Sequence, residues 1–274
     1  MPGSGHSVEA ALAQRDPQTI ASLMPKWEWV YDNYFHTRTE GWHHVPKQAL
    51  FVGAHNGGLA SPDLLMLMVD WFRRFGYERP IYGLMHPKVW QVNSGLARLA
   101  ARCGAVPAQP RFAIAALQRG ASVLVFPGGA QDVFRPHHQR HKIQLMGRTG
   151  FIKLALREQV PIVPVISHGA HDTFIVLSDC YKQAKWLNQK GLLPWIGDID
   201  PEVFPIYLGL PWGLAIGPLP HIPWPHPIQT RVCSPIVFEH TGRSAARDNT
   251  YVQQCYDQVV DQMQTALNQL ILST

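Results

Sequence analysis

The chain has 274 residues, of which 46% are hydrophobic and only 16% are charged. This length fits a single large α/β domain, and the small charged fraction predicts that some apolar surface stays exposed. Its 24 Lys and Arg exceed its 19 Asp and Glu, and this net charge of +5 favours anionic partners such as phosphorylated cofactors or acidic lipid headgroups. The basic residues are scattered and form no helix-turn-helix, zinc-finger or RNA-binding motif, which argues against nucleic acid.

The N-terminal residues contain no basic region followed by an apolar run, so we expect no secretory signal and a flexible segment over residues 1–20. Residues 21–274 are expected to form one domain. The longest apolar stretches, residues 64–69 and 160–166, are much shorter than the roughly 18 residues of a membrane-spanning helix. The four cysteines lie far apart, which predicts no metal site and no disulfide framework. We therefore expect a protein on the cytoplasmic side, attached peripherally to a membrane surface.

Residues 20–42 place six aromatic side chains among charged neighbours, a pattern that predicts an amphipathic helix. Its aromatic side chains either pack over the core or contact a membrane, the latter over about residues 20–45. Residues 49–54 are apolar and end at a Gly-rich turn, as a buried strand does. Ser61 and Pro62 then predict the start of a helix, with Ser61 as its N-cap.

The same alternation of strand and helix continues along the chain. Strands are predicted at residues 81–85, 122–126 and 162–166, and helices at residues 87–103, 112–119, 149–158 and 247–272. This order predicts an α/β fold with a mostly parallel central sheet flanked by helices. Residues 192–227, rich in Pro, Trp and Gly, are expected to cover an apolar channel or to form a lip that contacts a membrane.

The loop after the first predicted strand carries the strongest chemical signal. His55 follows the strand, Asn56, Gly57 and Gly58 come next, and Asp63 stands at the start of the helix. A neutral imidazole accepts a proton near neutral pH, and a carboxylate on its other nitrogen fixes the tautomer. From spacing alone, a turn histidine that caps the strand end is the better explanation of this pattern.

A second unusual loop follows the strand that ends at Phe126. Pro127, Gly128 and Gly129 stand at its start, and glycines at this place let backbone N–H groups approach a phosphate or an oxyanion. Arg135 is expected to bind a phosphate or carboxylate, and Asp132 precedes it by three residues. In a parallel sheet, the loops after Ala54 and Phe126 meet at the carboxyl end, where ligands bind.

These loops, taken in order, resemble the glycerolipid acyltransferase superfamily, which includes lysophosphatidate and diacylglycerol acyltransferases. The resemblance rests on four blocks, at residues 55–63, 103–108, 126–129 and 160–165. In the family's usual first block four residues separate histidine and aspartate, whereas here position 60 is alanine and Asp63 comes three residues later. Gly128 replaces the usual glutamate of the third block, and with Asp132 this looks closer to the diacylglycerol acyltransferase branch.

The resemblance implies that His55, paired with Asp63, deprotonates a lipid hydroxyl, which then attacks an acyl thioester carried by coenzyme A or acyl carrier protein. Backbone N–H groups at Asn56, Gly57 and Gly58 and in the second loop would hold the oxyanion. No metal and no resident cofactor are implied. Because the polar residues associated with a phosphorylated acceptor are missing, a neutral or less charged lipid acceptor is expected.

Two other interpretations stay open from the sequence. A lipid esterase or hydrolase is suggested by the faint likeness of residues 55–58 to the oxyanion loop of lipases, although the chain has no Gly-x-Ser-x-Gly nucleophile motif. A non-catalytic, membrane-associated lipid-binding protein is suggested by the displaced Asp63. The basic loop at residues 137–142 is expected to be a solvated loop whose cations can meet the phosphates of coenzyme A.

Overall fold

A seven-stranded sheet forms the centre of the computed structural model, which describes residues 7–92, 94–195 and 200–273. Its strands lie in the order β1-β10-β6-β2-β5-β3-β4. They are β1 (Arg38–Glu40), β2 (Leu50–Gly53), β3 (Ile81–Met85), β4 (Ala105–Pro107), β5 (Ser122–Val125), β6 (Ile162–His168) and β10 (Gln229–Val232). Every pairing is parallel except that of β10 with β6, which confirms the predicted α/β class and mostly parallel sheet.

Helices cover both faces of this sheet, because strands that are buried on both faces need apolar partners above and below. The helices are α1 (Val8–Leu12), α2 (Pro17–Trp29), α3 (Pro62–Phe75), α4 (Pro87–Val92), α5 (Ser94–Arg102), α6 (Pro110–Gln118), α7 (Gly129–Val133), α8 (Gly150–Glu158), α9 (Tyr181–Gln189) and α10 (Asn249–Leu272). The central strand β2 shows the alternation: Leu50 packs with α6, α8 and α10, whereas Phe51 packs with α2 and α3. The loop that carries His55 leaves the sheet from this buried central strand.

The expected flexibility of residues 1–20 is wrong from residue 8 onward. Helix α1 packs Leu12 into the core, and α2 begins within the same segment with Ile20 fully buried. Asp16 caps α2 by accepting a hydrogen bond from the Gln18 N–H at 3.0 Å. The apolar positions of this short segment were too few to show helical periodicity. Residues 1–6 lie outside the described residues, and the single domain over residues 21–274 stays a prediction.

The helix expected over residues 20–42 is shorter and packs inward. α2 ends at Trp29, continues as a π-helical turn over Val30–Tyr34, and gives way to β1. Tyr31, Phe35 and Trp42 are buried, while the Trp29 side chain is 58% exposed. Packing over the core therefore explains most of these aromatic side chains, and they form no continuous belt. The helix expected over residues 87–103 is likewise divided into α4 and α5.

A second, antiparallel sheet of three strands was not predicted. It consists of β7 (Ile175–Asp179), β8 (Pro205–Gly209) and β9 (Gly213–Ile216), in the order β7-β8-β9. A separate small core joins this second sheet to the loop that follows Phe126, since Tyr207 of β8 and Phe174 cluster with Phe134. Within the described residues, no helix is both long and apolar enough to cross a bilayer.

Candidate active site

His55 lies two residues beyond the end of β2, at the carboxyl edge of the central sheet. Its ring stacks on Phe126, the first residue after β5, with ring centres 4.4 Å apart and planes 28° from parallel. Gly53 permits this arrangement, because any Cβ at that position would overlap the Phe126 ring. The two unusual loops thus meet at the imidazole, as the parallel sheet predicted.

Asp63 reaches the imidazole despite its displaced position in the sequence. The His55 Nδ1–H donates to Asp63 Oδ2 at 3.2 Å, and because a carboxylate only accepts, this contact leaves Nε2 as the acceptor nitrogen. Asp63 is 2% exposed, whereas the His55 side chain is 16% exposed. The ring is therefore oriented by a buried acid while part of the side chain stays accessible to solvent.

The extra residues between His55 and Asp63 loop out through left-handed backbone. Gly57 and Gly58 have φ of +80° and +64°, which glycine adopts without steric cost, and Ser61 has φ of +45°. The turn brings the chain back so that Asp63 becomes the second residue of α3. There it accepts hydrogen bonds from the N–H groups of Asn56 at 2.7 Å and Leu64 at 2.8 Å. These two donors hold the carboxylate in place against the imidazole.

Ser61 does not cap α3 as expected. Its hydroxyl lies 3.2 Å from the Gly58 carbonyl and 3.5 Å from His55 Nε2. A residue other than glycine in left-handed backbone costs roughly 1–3 kcal/mol and is typical of functional turns. Among the hydrogen-bond contacts of the described residues, the Ser61 hydroxyl is the one that reaches the acceptor nitrogen of His55.

A buried ion pair fixes the backbone on both sides of His55. Asp132 Oδ2 accepts from the His55 N–H at 2.6 Å, and Arg135 Nη1 donates to the His55 carbonyl at 2.7 Å. The two side chains are joined by an Nη1 to Oδ1 contact of 2.8 Å, one helical turn apart along α7 and the residues that follow it. Both are essentially inaccessible to solvent. We call this pair the His55 clamp.

The clamp corrects the substrate-binding roles expected for Arg135, Asp132 and Asn56. Arg135 also donates to Asn56 Oδ1 at 2.5 Å and to the carbonyl groups of Gln139 and Arg140, so its guanidinium is committed to the protein. Asn56 is 2% exposed, and its side-chain amide donates to the Ala54 carbonyl at 2.9 Å. The polar side-chain groups of these three residues are occupied by contacts within the protein around His55, so they are not available to a ligand.

The Pro127–Gly129 turn is also corrected as a source of oxyanion donors. Pro127 has no N–H group, and the Gly129 N–H donates to the Phe126 carbonyl at 3.2 Å. Gly128 is required for packing, because a Cβ there would overlap Asp132 and the Gln144 carbonyl. Two of the three residues of this turn therefore cannot donate an N–H to an oxyanion, whereas Gly57 and Gly58 stay the expected source of such groups.

Burial dominates the electrostatics of the clamp. Desolvation raises the pKa of Asp132 to about 6, although the Arg135 guanidinium and the hydrogen bond from the His55 N–H favour the ionised form. Desolvation likewise lowers the pKa of Arg135 from its ordinary value, opposed by Asp132. Each charge is tolerated in this environment only because the other lies beside it.

His171 lies directly beneath the clamp and was assigned no firm role from the sequence. It is buried, its Nε2–H donates to the Arg135 carbonyl at 2.9 Å, and its Nδ1 has no hydrogen-bond partner among the described residues. Desolvation, with the nearby Arg135 charge, lowers the pKa of His171 to about 3. The imidazole is therefore neutral in the folded protein across the physiological pH range.

His171 is expected to make stability depend on pH. Below about pH 6.5 the unfolded chain binds a proton at this position that the folded chain excludes until about pH 3, so stability is lost as the pH falls through this window. Between pH 7.5 and 5 the loss is about 2 kcal/mol, from about 1.4 kcal/mol for each pH unit below 6.5. Urea unfolding of the wild type and His171→Gln at both pH values measures it. The raised pKa of Asp132 acts in the opposite direction in both proteins and cancels in this comparison, and an equal pH dependence in the two proteins would contradict the assignment.

Two features of the site were missed by sequence reasoning. His221, from the Pro- and Trp-rich segment, lies against the first loop, with its Nε2 3.2 Å from the Gly57 carbonyl and its ring stacked on Phe174. Arg148 is exposed and donates to the Pro127 carbonyl at 3.2 Å. Neither residue belongs to a recognisable motif, because both reach the site from distant parts of the chain.

The basic loop at residues 137–142 is partly neutralised. His137 Nε2 and Arg140 Nε lie 2.8 and 3.3 Å from the Asp172 carboxylate. Lys142 and His138 are exposed. No group of three or more His, Cys, Asp and Glu within the described residues has the geometry to hold a metal ion.

Comparison with known proteins assigns the chain to a family. The family model named Diacylglycerol acyltransferase matches residues 110–268, more than half of the chain, including the clamp and the Pro127–Gly129 turn. The chain belongs to the diacylglycerol acyltransferase family. A second model, named Acyltransferase, matches residues 36–168 and so includes His55 and Asp63. This family member is therefore a glycerolipid-type acyltransferase, which confirms the superfamily resemblance.

Individual relatives of this diacylglycerol acyltransferase family member are distant in sequence. An uncharacterized protein of Mycobacterium tuberculosis is 25% identical over 258 residues, which are 93% of this chain and 68% of that protein. Diacylglycerol O-acyltransferase 2 of Danio rerio is 26% identical over 231 residues, 77% of this chain and 58% of that protein. A crystal structure of the 1-acyl-sn-glycerophosphate acyltransferase PlsC from Thermotoga maritima matches with a TM-score of 0.46 and 15% identity, covering 90% of this chain and 79% of that one.

Proposed function

We propose that this protein transfers a fatty acyl group from a thioester to the hydroxyl of a neutral lipid alcohol, with His55 as the general base. The observation that carries the proposal is the 3.2 Å contact from His55 Nδ1 to the buried Asp63 carboxylate, made by a side chain that is itself 16% exposed. A base oriented in this way typically contributes about 10²–10⁴-fold to the rate.

The reaction balances with the residues present. His55 Nε2 takes the proton of the acceptor hydroxyl, and the oxygen attacks the thioester carbonyl to form a tetrahedral oxyanion. When that intermediate collapses, the carbon–sulfur bond breaks, and His55 returns the proton to the departing sulfur to give a thiol. Asp63 stabilises the imidazolium that exists between these two steps. The N–H groups of Gly57 and Gly58 are proposed to hold the oxyanion, which is worth about 10²–10³-fold for each donor.

The nature of the two substrates is also proposed. The acyl donor is a thioester of coenzyme A or of acyl carrier protein, and no resident cofactor takes part. A neutral acceptor is favoured because the guanidinium of Arg135, the cation nearest to the His55 backbone, is consumed by protein contacts. Since such acceptors are insoluble in water, the enzyme is proposed to work at a membrane surface, on its cytoplasmic side.

An acceptor panel tests the proposal. Purified protein is incubated with acyl-CoA and either a monoacylglycerol, a diacylglycerol or a lysophosphatidate, and the ester products and free thiol are quantified together. We expect one thiol to be released for each ester formed, with the neutral acceptors preferred. Thiol release that ignores the acceptor and yields free fatty acid would instead indicate hydrolysis, and lipid binding without turnover would indicate a non-catalytic protein.

Hydrolysis is the second candidate function, and one observation favours it. Ser61 Oγ lies 3.5 Å from His55 Nε2, so Ser61, His55 and Asp63 follow the order of contacts of a serine hydrolase triad. The distance is long for a hydrogen bond, and the Ser61 hydroxyl has the Gly58 carbonyl as a nearer partner at 3.2 Å. We therefore favour direct attack by the acceptor over an acyl-Ser61 intermediate.

Replacing Ser61 by alanine distinguishes the two candidates. For direct transfer, we expect Ser61→Ala to keep acyl transfer within about threefold of the wild type, because only a weak contact to the base is lost. Initial rates of ester formation measure this, and mass spectrometry of acid-quenched wild-type protein searches for an acyl adduct on Ser61. A loss as large as that of a His55 variant, together with such an adduct, would establish the serine pathway instead.

A further inference from the structure

The second sheet is apolar on the face that it turns away from the core. Tyr207 points inward and is fully buried, whereas Ile206 pairs with Ile216 and Leu208 with Leu214 on the outer face. Leu214 and Ile216 are 65% and 55% exposed. An antiparallel sheet with one solvated face normally alternates apolar and polar side chains. These strands lack that alternation, so water is not the natural neighbour of this face.

The apolar surface continues beyond the strands. Trp212 in the β8–β9 turn is 54% exposed and Ile222 is 55% exposed, and the Ile222 N–H donates to the Leu210 carbonyl at 2.8 Å, which holds the segment against the sheet. No Asp, Glu, Lys or Arg occurs from residue 203 to residue 230. We define the apolar face as Ile206, Leu208, Trp212, Leu214, Ile216 and Ile222. A contiguous exposed patch of this kind marks an interaction site.

Amphipathic side chains lie at one end of the apolar face. Helix α9 begins two residues after β7 ends, and the Cys180 N–H between them donates to the Phe204 carbonyl, directly before β8. Exposed Lys182, Lys185 and Lys190 lie on this helix or directly after it, but Asp179 precedes the helix and Asp200 contacts Lys185 at 3.8 Å, so this end carries no strong net positive charge. Trp186 is 56% exposed within the helix. Exposed tryptophan and lysine side chains beside aliphatic ones are typical of the boundary region of a lipid bilayer.

The apolar face is connected directly to the histidine loop. His221, next to Ile222, contacts the Gly57 carbonyl and leaves no room for a Cβ on Gly58. The Trp224 N–H donates to the Thr173 carbonyl at 2.8 Å, and Tyr34 donates to the Pro223 carbonyl at 2.7 Å. The segment that carries the apolar face is therefore also a wall of the site that contains His55.

We propose that the apolar face is the surface by which this protein enters the headgroup layer of a lipid membrane, with Trp186 and the α9 lysines in the headgroup region. The inference rests on the proposed function, because a lipid acceptor would then pass from the bilayer to His55 along the segment that links them. A lipid surface is favoured over a second copy of the chain because the same segment contacts the His55 loop through His221.

Vesicle flotation tests the proposal with matched variants. Wild type is compared with Leu214→Thr/Ile216→Thr, which places residues of high strand propensity at both positions, and with Val237→Thr/Leu272→Thr, which alters apolar residues that are 75% and 88% exposed elsewhere. The vesicles are phosphatidylcholine alone or phosphatidylcholine with phosphatidylglycerol. We expect the sheet variant to bind both kinds of vesicle at least about tenfold more weakly, the control variant to bind like wild type, and binding to persist in high salt because it depends mainly on apolar side chains.

A second measurement keeps the proposal testable if the sheet variant Leu214→Thr/Ile216→Thr fails to fold. Lipids brominated on their acyl chains quench nearby tryptophan, so Trp212→Phe is expected to reduce the quenched fraction of the fluorescence. The proposal is overturned if wild type stays with neither vesicle, if the sheet variant binds as tightly as wild type, or if light scattering shows a dimer that Leu214→Thr/Ile216→Thr dissociates. His55→Gln is expected to float like wild type, so a failure of the proposed catalysis leaves the membrane result readable.

Discussion

Replacing His55 by glutamine is expected to lower acyl transfer by about 10²–10⁴-fold, because an amide accepts no proton at neutral pH. The side chain is partly exposed at the edge of the sheet, and besides stacking on Phe126 and a long contact to Ser61 it makes one hydrogen bond, to Asp63, so the free energy of unfolding should change by less than about 1 kcal/mol. Initial rates of ester formation, with urea unfolding of the same preparations, measure both quantities.

Two further variants make this result specific. Asp63→Asn removes the charge that stabilises the imidazolium and offers an N–H where an acceptor is needed, so a large loss of rate is expected here as well. His138→Gln is the matched control, because His138 is an exposed histidine of the basic loop. Its side-chain hydrogen bond among the described residues is to its own neighbour Gln139. If His55→Gln keeps more than about a tenth of the activity, His55 is not the base.

Breaking the His55 clamp is expected to have the largest effect on stability. Arg135→Met leaves the Asp132 carboxylate buried without its partner, and Asp132→Asn leaves the guanidinium in the same position. Each single change should cost about 3–5 kcal/mol in the free energy of unfolding. Because the double variant removes both charges, its cost should be smaller than the sum of the two single costs. Urea unfolding of the four proteins completes this cycle.

The clamp also predicts a catalytic effect beyond stability. Asp132 and Arg135 hold the two peptide groups that flank His55, so a folded Asp132→Asn protein should show a lower kcat with a nearly unchanged KM for the acyl donor. Arg140→Met is the control, because its ion pair with Asp172 is partly exposed and worth at most about 1 kcal/mol. Additive single costs, or a clamp variant as stable as Arg140→Met, would show that the buried pair is not coupled.

Much of the central sheet could be predicted because its strands are buried on both faces. The apolar runs that became β2, β3, β5 and β6 are bounded by Gly, Pro or charged residues, so their positions were predicted to within two residues at each end. The two strands at one end of the sheet were not predictable in the same way. β1 and β10 are short and polar, and they pair with each other across nearly the whole chain, as Thr39 does with Thr230. No local periodicity signals such a pairing.

The sequence predicted the pairing of His55 with Asp63 but not the buried residues that support it. Sequence order suggested His55 and Asp63, but their contact depends on the left-handed turn through Gly57, Gly58 and Ser61, which spacing alone does not specify. Arg135 was assigned to a ligand because a guanidinium binds a phosphate or a carboxylate in forked geometry. Its spacing of three residues from Asp132 instead allows a buried pair along one helical turn. Whether such a pair turns inward is decided by tertiary packing.

The measurement that tests the central claim most directly is the product balance of the wild type beside His55→Gln, with one acyl-CoA and one neutral lipid alcohol on vesicles. The proposed chemistry predicts equal amounts of lipid ester and free thiol from the wild type, with both nearly absent from the variant. Equal ester formation by the two proteins, or free fatty acid as the only acyl product, would contradict it.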